Sequence, residues 1–475
     1  MGLEKRIEFL VASLIIISMS SAWLTNRAFK KAPNVLLVII DDLGFHDLSR
    51  YGSKIYQTPN FDNLAGESYS FRNAYANYPR CLPSRYAMIT SSYPVQEFDG
   101  NLATIPEEAN FIKQFRKAGY TSYFVGKWHQ KGEGNSPKGF GFDDSFAANT
   151  AGGVASHFYP YNTRKITAPM GEVQPVEDVE KEGKEGDYLA DVLTDKMIGY
   201  IKKHDKAKPF FGVLSTYAVH SPFEAREEDI ERNEEQIEAF DFGNAPAYIK
   251  EGNGTRKMRQ DNAVYAAMVE NMDWNTGRLL AALKEAGLEK NTIVVFTSDH
   301  GGLSNNGSIG MKTATTNFPL RAGKGHLYEG GTRVPLLIRW PGMIKAKEDN
   351  ESIVLLMDLM PSLLDLAVDG KLSRVDGRSF EPVIKGKVKW NERTVFFHER
   401  QARPQTTGDF PCTAMRWGKY KLLHYLENDT YELYDLSRDV SEENNLIEDL
   451  PEVANKMKAE MKAWKEQHLQ KKNND

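Results

Sequence analysis

The 475-residue chain has only two cysteines, Cys81 and Cys412, so a framework of disulfide bonds is excluded as the basis of its stability. It also has no excess of positive charge, because 60 Lys and Arg stand against 65 Asp and Glu, for a net charge of −5. This balance argues against a general nucleic-acid-binding protein, and no internal repeat is present. We therefore expect a globular protein in which any polyanion is bound by a local basic pocket.

Residues 1–22 have the pattern of an export signal. Lys5 and Arg6 precede an apolar run over residues 9–17, and small residues follow at 20–22. None of these small residues is a cysteine, which argues against a lipoprotein anchor. The alternative is an uncleaved membrane anchor, although the apolar stretch to Leu24 is slightly short for a membrane span. We expect a periplasmic or secreted protein that has no stable membrane association once the signal is cleaved.

Four predicted strands each lead into residues that can carry chemistry. The strands are predicted from apolar, β-branched runs, and such runs are typical of a buried parallel sheet. In parallel sheets, ligands bind outside the carboxyl ends of the strands, so these residues should meet at one edge. The strands at 34–40, 120–125, 210–216 and 291–297 lead respectively into Asp41 and Asp42, Lys127 and His129, His220, and Asp299 and His300.

The remaining chain predicts an α/β fold, in which a large, mixed but mostly parallel sheet is sandwiched by helices and followed by a smaller C-terminal α+β subdomain. We expect a catalytic domain over residues 33–385 and a C-terminal subdomain over residues 386–475. Variable loops at 132–161, 224–257 and 401–416 are candidates for substrate contacts. The other elements are helices at 105–119, 188–201, 261–286 and 453–468, and strands at 336–340, 394–398, 413–424 and 431–434.

The residues at the sheet edge suggest a cation site beside an anion site. Carboxylates of the kind found at Asp41, Asp42 and Asp299 form the oxygen-rich sites that hard divalent cations prefer, with His300 as a further ligand. An Asp pair at a strand end is otherwise a common cap or turn. The remaining candidates can contact an anion or move protons near neutral pH, although each could also be an ordinary surface or turn residue: Lys127, Lys324, Arg85, His129 and His220.

The stretch Cys81-Leu82-Pro83-Ser84-Arg85 is the centre around which the other motifs are arranged. Pro83 fits an early position of a helix, where its missing N–H is no loss, so Cys81 should lie at the helix N-terminus. Free amide groups, the helix dipole and Arg85 would then favour an anion at this point. The alternative interpretation is a buried structural cysteine.

From about residue 32 to the C-terminal tail, the chain resembles the type I sulfatases of the alkaline phosphatase superfamily. The resemblance lies in the sequence of its motifs and in their order along the chain. The resemblance implies that Cys81 is oxidised to Cα-formylglycine by a formylglycine-generating maturation enzyme during export. It also implies one calcium ion, held by Asp41, Asp42, Asp299, His300 and residue 81. The matching blocks are residues 38–44, 81–85, 126–129, 220–222, 298–301, 323–325 and 329–335.

The resemblance also implies a role for each remaining candidate. One hydroxyl of the hydrated aldehyde attacks sulfur with Asp299 as base, and the second later expels sulfate with His129 as base. His220 protonates the departing alcohol. Arg85 adds a fixed charge beside the nucleophile, and Lys127 and Lys324 stabilise the transferring sulfuryl group.

We expect the substrate to be a sulfated carbohydrate, a polysaccharide or its oligosaccharides, because the protein is exported and its loops are rich in side chains that bind sugars. Two alternatives remain open at this point. One is a phosphonate monoester or phosphodiester hydrolase of the same superfamily, and the other is a catalytically silent protein that binds sulfated glycans. The loop side chains in question are Asn149, His157, Tyr159, Tyr161, Asn162 and His326.

Overall fold

The computed structural model describes residues 31–95, 102, 105–131, 135–161 and 176–469. Within these residues, eight strands form one central sheet. Their order across the sheet is β11-β2-β10-β8-β1-β5-β3-β4. The strands are β1 Asn34–Ile40, β2 Tyr69–Tyr75, β3 Thr121–Gly126, β4 Asp144–Phe146, β5 Phe210–Ser215, β8 Thr292–Ser298, β10 Leu336–Arg339 and β11 Lys347–Leu355.

Only β10 is antiparallel to its neighbours in this sheet. The other pairings are parallel, so the carboxyl ends of β1, β2, β3, β5 and β8 all lie at the same edge. This mixed, mostly parallel sheet confirms the predicted fold class and the predicted convergence of strand ends.

Helices cover both faces of the sheet and form two separate cores. Leu36, Val38 and Ile40 of β1 pack into one core, while Val35 and Leu37 pack into the other. A strand buried on both faces explains why β1 is continuously apolar. The first core is completed by the helices Pro59–Gly66, Leu189–Lys203 and Ala263–Glu285, and the second by Cys81–Thr90, Phe111–Lys117 and Leu359–Val368.

Shorter strands and helices lie in the connections between these layers. A small sheet, in the order β6-β7-β9, is formed by Tyr248–Glu251, Gly254–Lys257 and Asn305–Asn306. The remaining α-helices of the described residues, apart from the C-terminal one, are Pro137–Phe140, Glu177–Glu182, Glu227–Glu238, Glu329–Thr332 and Glu381–Ile384.

A four-stranded antiparallel sheet follows the central sheet and packs against it through one face. Val395, Phe397 and Ala414 share a core with Tyr75 of β2, whereas Met415 and Leu422 on the opposite face pack on the C-terminal helix. The elements are β12 Thr394–Glu399, β13 Cys412–Trp417, β14 Tyr420–Tyr425, β15 Thr430–Asp435 and the helix Pro451–Leu469.

A buried ionic cluster joins this antiparallel sheet to the rest of the fold. Lys421 Nζ lies 3.0 Å from a carboxylate oxygen of Glu329 and 3.0 Å from one of Glu442. The second oxygen of Glu442 accepts a hydrogen bond from the backbone N–H of Glu329 at 2.7 Å. All three side chains are at most 1% exposed, so the lysine is needed to offset the burial of the two carboxylates.

Several sequence predictions differ from the structure at element boundaries. The helix predicted over residues 105–119 is a 3-10 turn, Glu107–Ala109, followed by a helix that begins only at Phe111, because Asn110 caps it by accepting from the N–H of Lys113. The strand predicted over 413–424 is two strands, since Gly418 turns the chain with a φ of 55°. Strands β2 and β11 were not predicted.

The signal expected at residues 1–22 lies outside the described residues. Within the part of the chain that the structure describes, no helix combines the length and apolar character needed to cross a membrane.

Candidate active site

Four strand ends bring the predicted side chains to one place. Asp41 and Asp42 follow β1, and Asp299 and His300 follow β8. Lys127 follows β3, whose last residue, Gly126, has a φ of 96° and would place a Cβ only 1.9 Å from the Ser215 carbonyl oxygen. A glycine is therefore required where β3 delivers the lysine beside β5.

Cys81 follows β2, one of the strands that the sequence did not predict. The chain leaves β2 at Tyr75, and Cys81 is the first residue of the helix Cys81–Thr90, as Pro83 predicted. The Oγ of Ser84 donates to the backbone carbonyl of Asp299 at 2.6 Å, which fixes the helix start against β8. Cys81 is 6% exposed, so it lies at the bottom of a recess and not on the surface.

Arg85 is buried and contacts several groups of the site. Its Nε donates to Asp299 at 2.9 Å, and one terminal nitrogen donates to the Lys127 carbonyl at 2.9 Å and to Ser215 Oγ at 2.6 Å. The other terminal nitrogen lies 3.6 Å from Asp41. The guanidinium, which was predicted to add charge beside the nucleophile, thus contacts Asp299 and Asp41 and also the Lys127 carbonyl and Ser215.

Four side chains point ligand atoms at a common centre. Asp41, Cys81, Asp299 and His300 each contribute one atom, and these atoms lie within 4.8 Å of one another. Asp42 joins them, since its Oδ1 is 3.2 Å from His300 Nε2 and 3.9 Å from Cys81 Sγ. Its backbone has a φ of 61°, which Asp tolerates better than most residues.

This donor set suits a divalent cation. Burial, together with Asp299 and Cys81, raises the pKa of Asp41, as expected for carboxylates crowded together without a cation. Asp41 Oδ1 accepts no hydrogen bond from any described residue. His300 Nδ1 lies 2.9 Å from the Gly301 carbonyl, so Nδ1 donates there and Nε2 faces the centre. Burial alone would lower the pKa of His300, but Asp299, Cys81 and Asp42 outweigh it and raise that pKa, so a cation would have to displace the proton from Nε2.

Two lysines lie beside Cys81. Lys127 forms an ion pair with Asp41, and Lys324 Nζ contacts both oxygens of Asp42 at 2.7 and 2.8 Å while lying 3.6 Å from Cys81 Sγ. Burial alone would raise the pKa of the Cys81 thiol, but Lys127, Lys324 and His300 outweigh it and hold that pKa well below its usual value. Negative charge at residue 81 is therefore stabilised.

His129 and His220 both lie near the same centre. Burial lowers the pKa of each to about 4, so both are neutral at pH 7 in the free protein. His129 lies beside Cys81, and each side chain shifts the pKa of the other. His220 Nε2 lies 3.9 Å from Asp42, and its Nδ1 faces the Ser221 carbonyl at 2.7 Å.

Sequence reasoning missed the residues that support the site. Tyr265 donates to Asp47 at 2.6 Å and to the Asp42 carbonyl at 3.3 Å, and burial raises the pKa of Asp47 to about 6. Arg80 is paired with Asp409, which lies in the C-terminal part of the chain. No motif marks these residues, because their partners are more than 200 positions away in the sequence.

The prediction of sugar-binding side chains along the rim needs correction. His157 is fully buried and faces the His220 carbonyl through Nε2 at 3.0 Å. His326 is 8% exposed and faces the Thr407 carbonyl, and Tyr161 is 3% exposed. These three residues support the loops from inside. Asn162 lies outside the described residues.

Comparisons with known proteins agree with this geometry. Residues 33–370 match the Sulfatase family, and residues 322–467 match the family described as N-sulphoglucosamine sulphohydrolase, C-terminal. A sulfatase of Formosa agariphila is 28% identical, covering 97% of this chain and 94% of its own. An N-acetylgalactosamine-6-O-sulfatase of Bacteroides thetaiotaomicron is 27% identical, covering 91% of this chain and 93% of its own. The crystal structure of Ps i-CgsB in complex with k-i-k-neocarrahexaose aligns with a TM-score of 0.72 and 28% identity, covering 91% of this chain and 93% of that chain.

Proposed function

The chain belongs to the sulfatase family, as a type I sulfatase of the alkaline phosphatase superfamily and a sulfuric ester hydrolase, and from this premise we propose that it hydrolyses sulfate esters of a sulfated carbohydrate through a formylglycine at residue 81. The observation that carries the proposal is the position of Cys81, at a helix N-terminus and in contact with His300, Asp42 and Lys324.

The metal in this proposal is one calcium ion. Asp41, Asp42, Asp299, His300 and residue 81 would hold it, and the convergence of their ligand atoms supports that assignment. When bound, the ion polarises the sulfate oxygens and favours the ionised form of the nucleophile. Arg85 keeps Asp41 and Asp299 in place with or without the ion, since it contacts both.

Residue 81 acts as the nucleophile. The Cys81 thiol occupies the position that a hydrated aldehyde takes after oxidation by a maturation enzyme. The hydrate supplies one hydroxyl that attacks sulfur and a second that allows sulfate to leave, a step that a serine or cysteine side chain could not perform. Asp299 accepts the proton in the attack, and His129, which contacts residue 81, accepts the proton in the release.

The remaining side chains act on the sulfuryl group and on the alcohol. Lys127 and Lys324 lie beside residue 81 and stabilise the charge of the transferring group. His220 donates a proton to the departing oxygen. Its pKa is low in the free protein, but a bound anionic substrate favours the protonated form, so protonation is coupled to binding.

The names of the relatives support a carbohydrate substrate. The Bacteroides protein is named for a sulfated amino sugar, and the Ps i-CgsB crystal contains a neocarrahexaose. Both similarities extend over more than nine-tenths of this chain, including the C-terminal part that contributes Asp409 and Thr407 next to Arg80.

The proposal also covers location and organisation. We propose that residues 1–22 direct export to the periplasm or beyond, where sulfated polysaccharides occur, and that a formylglycine-generating enzyme is the maturation partner. Residues 33–385 would then form the catalytic domain, and residues 386–475 the C-terminal subdomain.

The test is release of inorganic sulfate from a panel of sulfated mono-, oligo- and polysaccharides, using protein co-expressed with a maturation enzyme. Phosphonate monoesters and phosphodiesters belong in the same panel. Preferred cleavage of a sulfated sugar, abolished by Cys81→Ala, is the expected result. Faster release from the phosphorus esters would assign the chain to that chemistry, and tight glycan binding without any turnover would assign it a binding role.

A further inference from the structure

A loop from the C-terminal part of the chain is anchored directly beside the nucleophile. Asp409 accepts hydrogen bonds from Arg80 at 2.8 and 2.7 Å, and Arg80 immediately precedes Cys81. The same carboxylate accepts from the backbone N–H of Arg403 at 3.0 Å. The backbone of Arg403 is therefore fixed relative to the segment that carries residue 81.

The Arg403 guanidinium has no ion-pair partner among the described residues. Its nearest candidate, Asp409, is already occupied by Arg80. Arg80 and Arg85 differ from Arg403 because each has an ion-pair partner. Arg80 pairs with Asp409, and Arg85 pairs with Asp299. Arg403 is also exposed, so its guanidinium is available to a ligand.

The electrostatic surroundings of Arg403 connect it to the active site. Partial burial and the neighbouring Arg80 lower the pKa of Arg403, while the charge at Cys81 raises it. Charge at residue 81 therefore affects Arg403, whose backbone is held close to the Cys81 segment through Asp409 and Arg80. An arginine remains charged in such surroundings, and its planar donors match a sulfate or carboxylate in two hydrogen bonds.

We propose that Arg403 determines substrate specificity by binding a second anionic group, carried by the sugar next to the one that loses its sulfate. The inference rests on the proposed function and adds the substrate class, an oligosaccharide with at least two anionic groups. Lys127, beside the nucleophile, is completely buried, whereas Arg403 lies at the rim. A contact with Arg403 is therefore separate from the contacts of the sulfate under attack. Arg403 therefore has room to reach a neighbouring residue of the substrate.

The experiment compares matched substrates that differ by one anionic group. Suitable pairs are neocarratetraoses with one or two sulfates per repeat, and N-acetylgalactosamine 6-sulfate alone or linked to glucuronate. The variants are Arg403→Gln and Arg403→Lys. Arg400→Gln, an exposed arginine three residues away, is the control.

Arg403→Gln should lower kcat/KM for the doubly anionic member of a pair by roughly 10- to 100-fold and change the other member by less than about threefold, because a charge-assisted contact is lost only in the former. Arg403→Lys should fall between, and Arg400→Gln should match the wild type. The neocarratetraose pair and the glucuronate pair distinguish which anion is bound. Equal losses for both members, or none for either, would overturn the inference.

A binding measurement keeps the inference testable apart from catalysis. In Cys81→Ala protein, calorimetric titration of the same pairs should show tighter binding of the doubly anionic member, and Arg403→Gln should remove that difference. Absence of sulfate release by the wild-type enzyme from every substrate would contradict the proposed function, whereas unchanged binding preference in Arg403→Gln would contradict the role of Arg403.

Discussion

The buried cluster of Glu442, Lys421 and Glu329 should make the stability of the protein depend on pH. Burial raises the pKa of Glu442 from 4.5 to about 7, with Lys421 opposing and Glu329 adding to the rise. The folded protein therefore holds this proton more tightly than the unfolded chain. The stabilisation is complete below pH 4.5 and is lost as the pH rises through about 7.

The magnitude follows from the two pKa values. Each pH unit between 4.5 and about 7 is worth about 1.4 kcal/mol, so the whole effect is on the order of 3 kcal/mol. Glu442→Gln reproduces the protonated form at every pH. The variant should lie within about 1 kcal/mol of the wild type in free energy of unfolding at pH 5 and exceed it by up to about 3 kcal/mol at pH 8.

The assay is chemical denaturation at pH 5 and pH 8, supported by thermal melts. Glu443→Gln is the matched control, because Glu443 is the next residue in the chain and is exposed. It should follow the wild type at both pH values. A Glu442→Gln curve that runs parallel to the wild type over the whole range, or lies below it at pH 8, would refute the reasoning.

Three further predictions concern the active site. Tyr265→Phe removes the donor to Asp47 and to the Asp42 carbonyl, so denaturation should show a loss of about 1.5–3 kcal/mol, and an unchanged unfolding free energy would argue against this support. Calcium should raise the Tm of the wild type after chelation but not that of Asp42→Ala, and indifference of both proteins to calcium would argue against the metal site. His220→Ala should lower kcat at least about 100-fold more for a sugar sulfate than for a nitrophenyl sulfate, whose leaving group needs no proton, and equal losses would exclude His220 as the acid.

The sequence predicts the sheet edge well because that part of the fold follows from local rules. Strands such as β1 are buried on both faces and read as apolar runs, and the residues after their carboxyl ends must meet. Asp41, Lys127 and Asp299 were found in this way. The helix start at Cys81 followed from Pro83, whose backbone preference is also local.

The parts that were missed depend on contacts between distant segments. β2 contains Ser70, Arg72 and Asn73 among its apolar residues, so its sequence does not read as a buried strand, and only pairing with β10 and β11 fixes it. The rim loops were misjudged for a related reason. Whether His326 faces solvent or the Thr407 carbonyl depends on how the C-terminal part docks, which no local pattern reports.

The state of residue 81 is the most direct test of the account. Protein co-expressed with a maturation enzyme, and protein made without one, should be digested and the peptide containing residue 81 analysed by tandem mass spectrometry, with sulfate release measured on the same samples. The account predicts that the fraction of chains carrying the aldehyde in place of the thiol is proportional to the rate of sulfate release. Full activity in a sample whose Cys81 is entirely an intact thiol would contradict it.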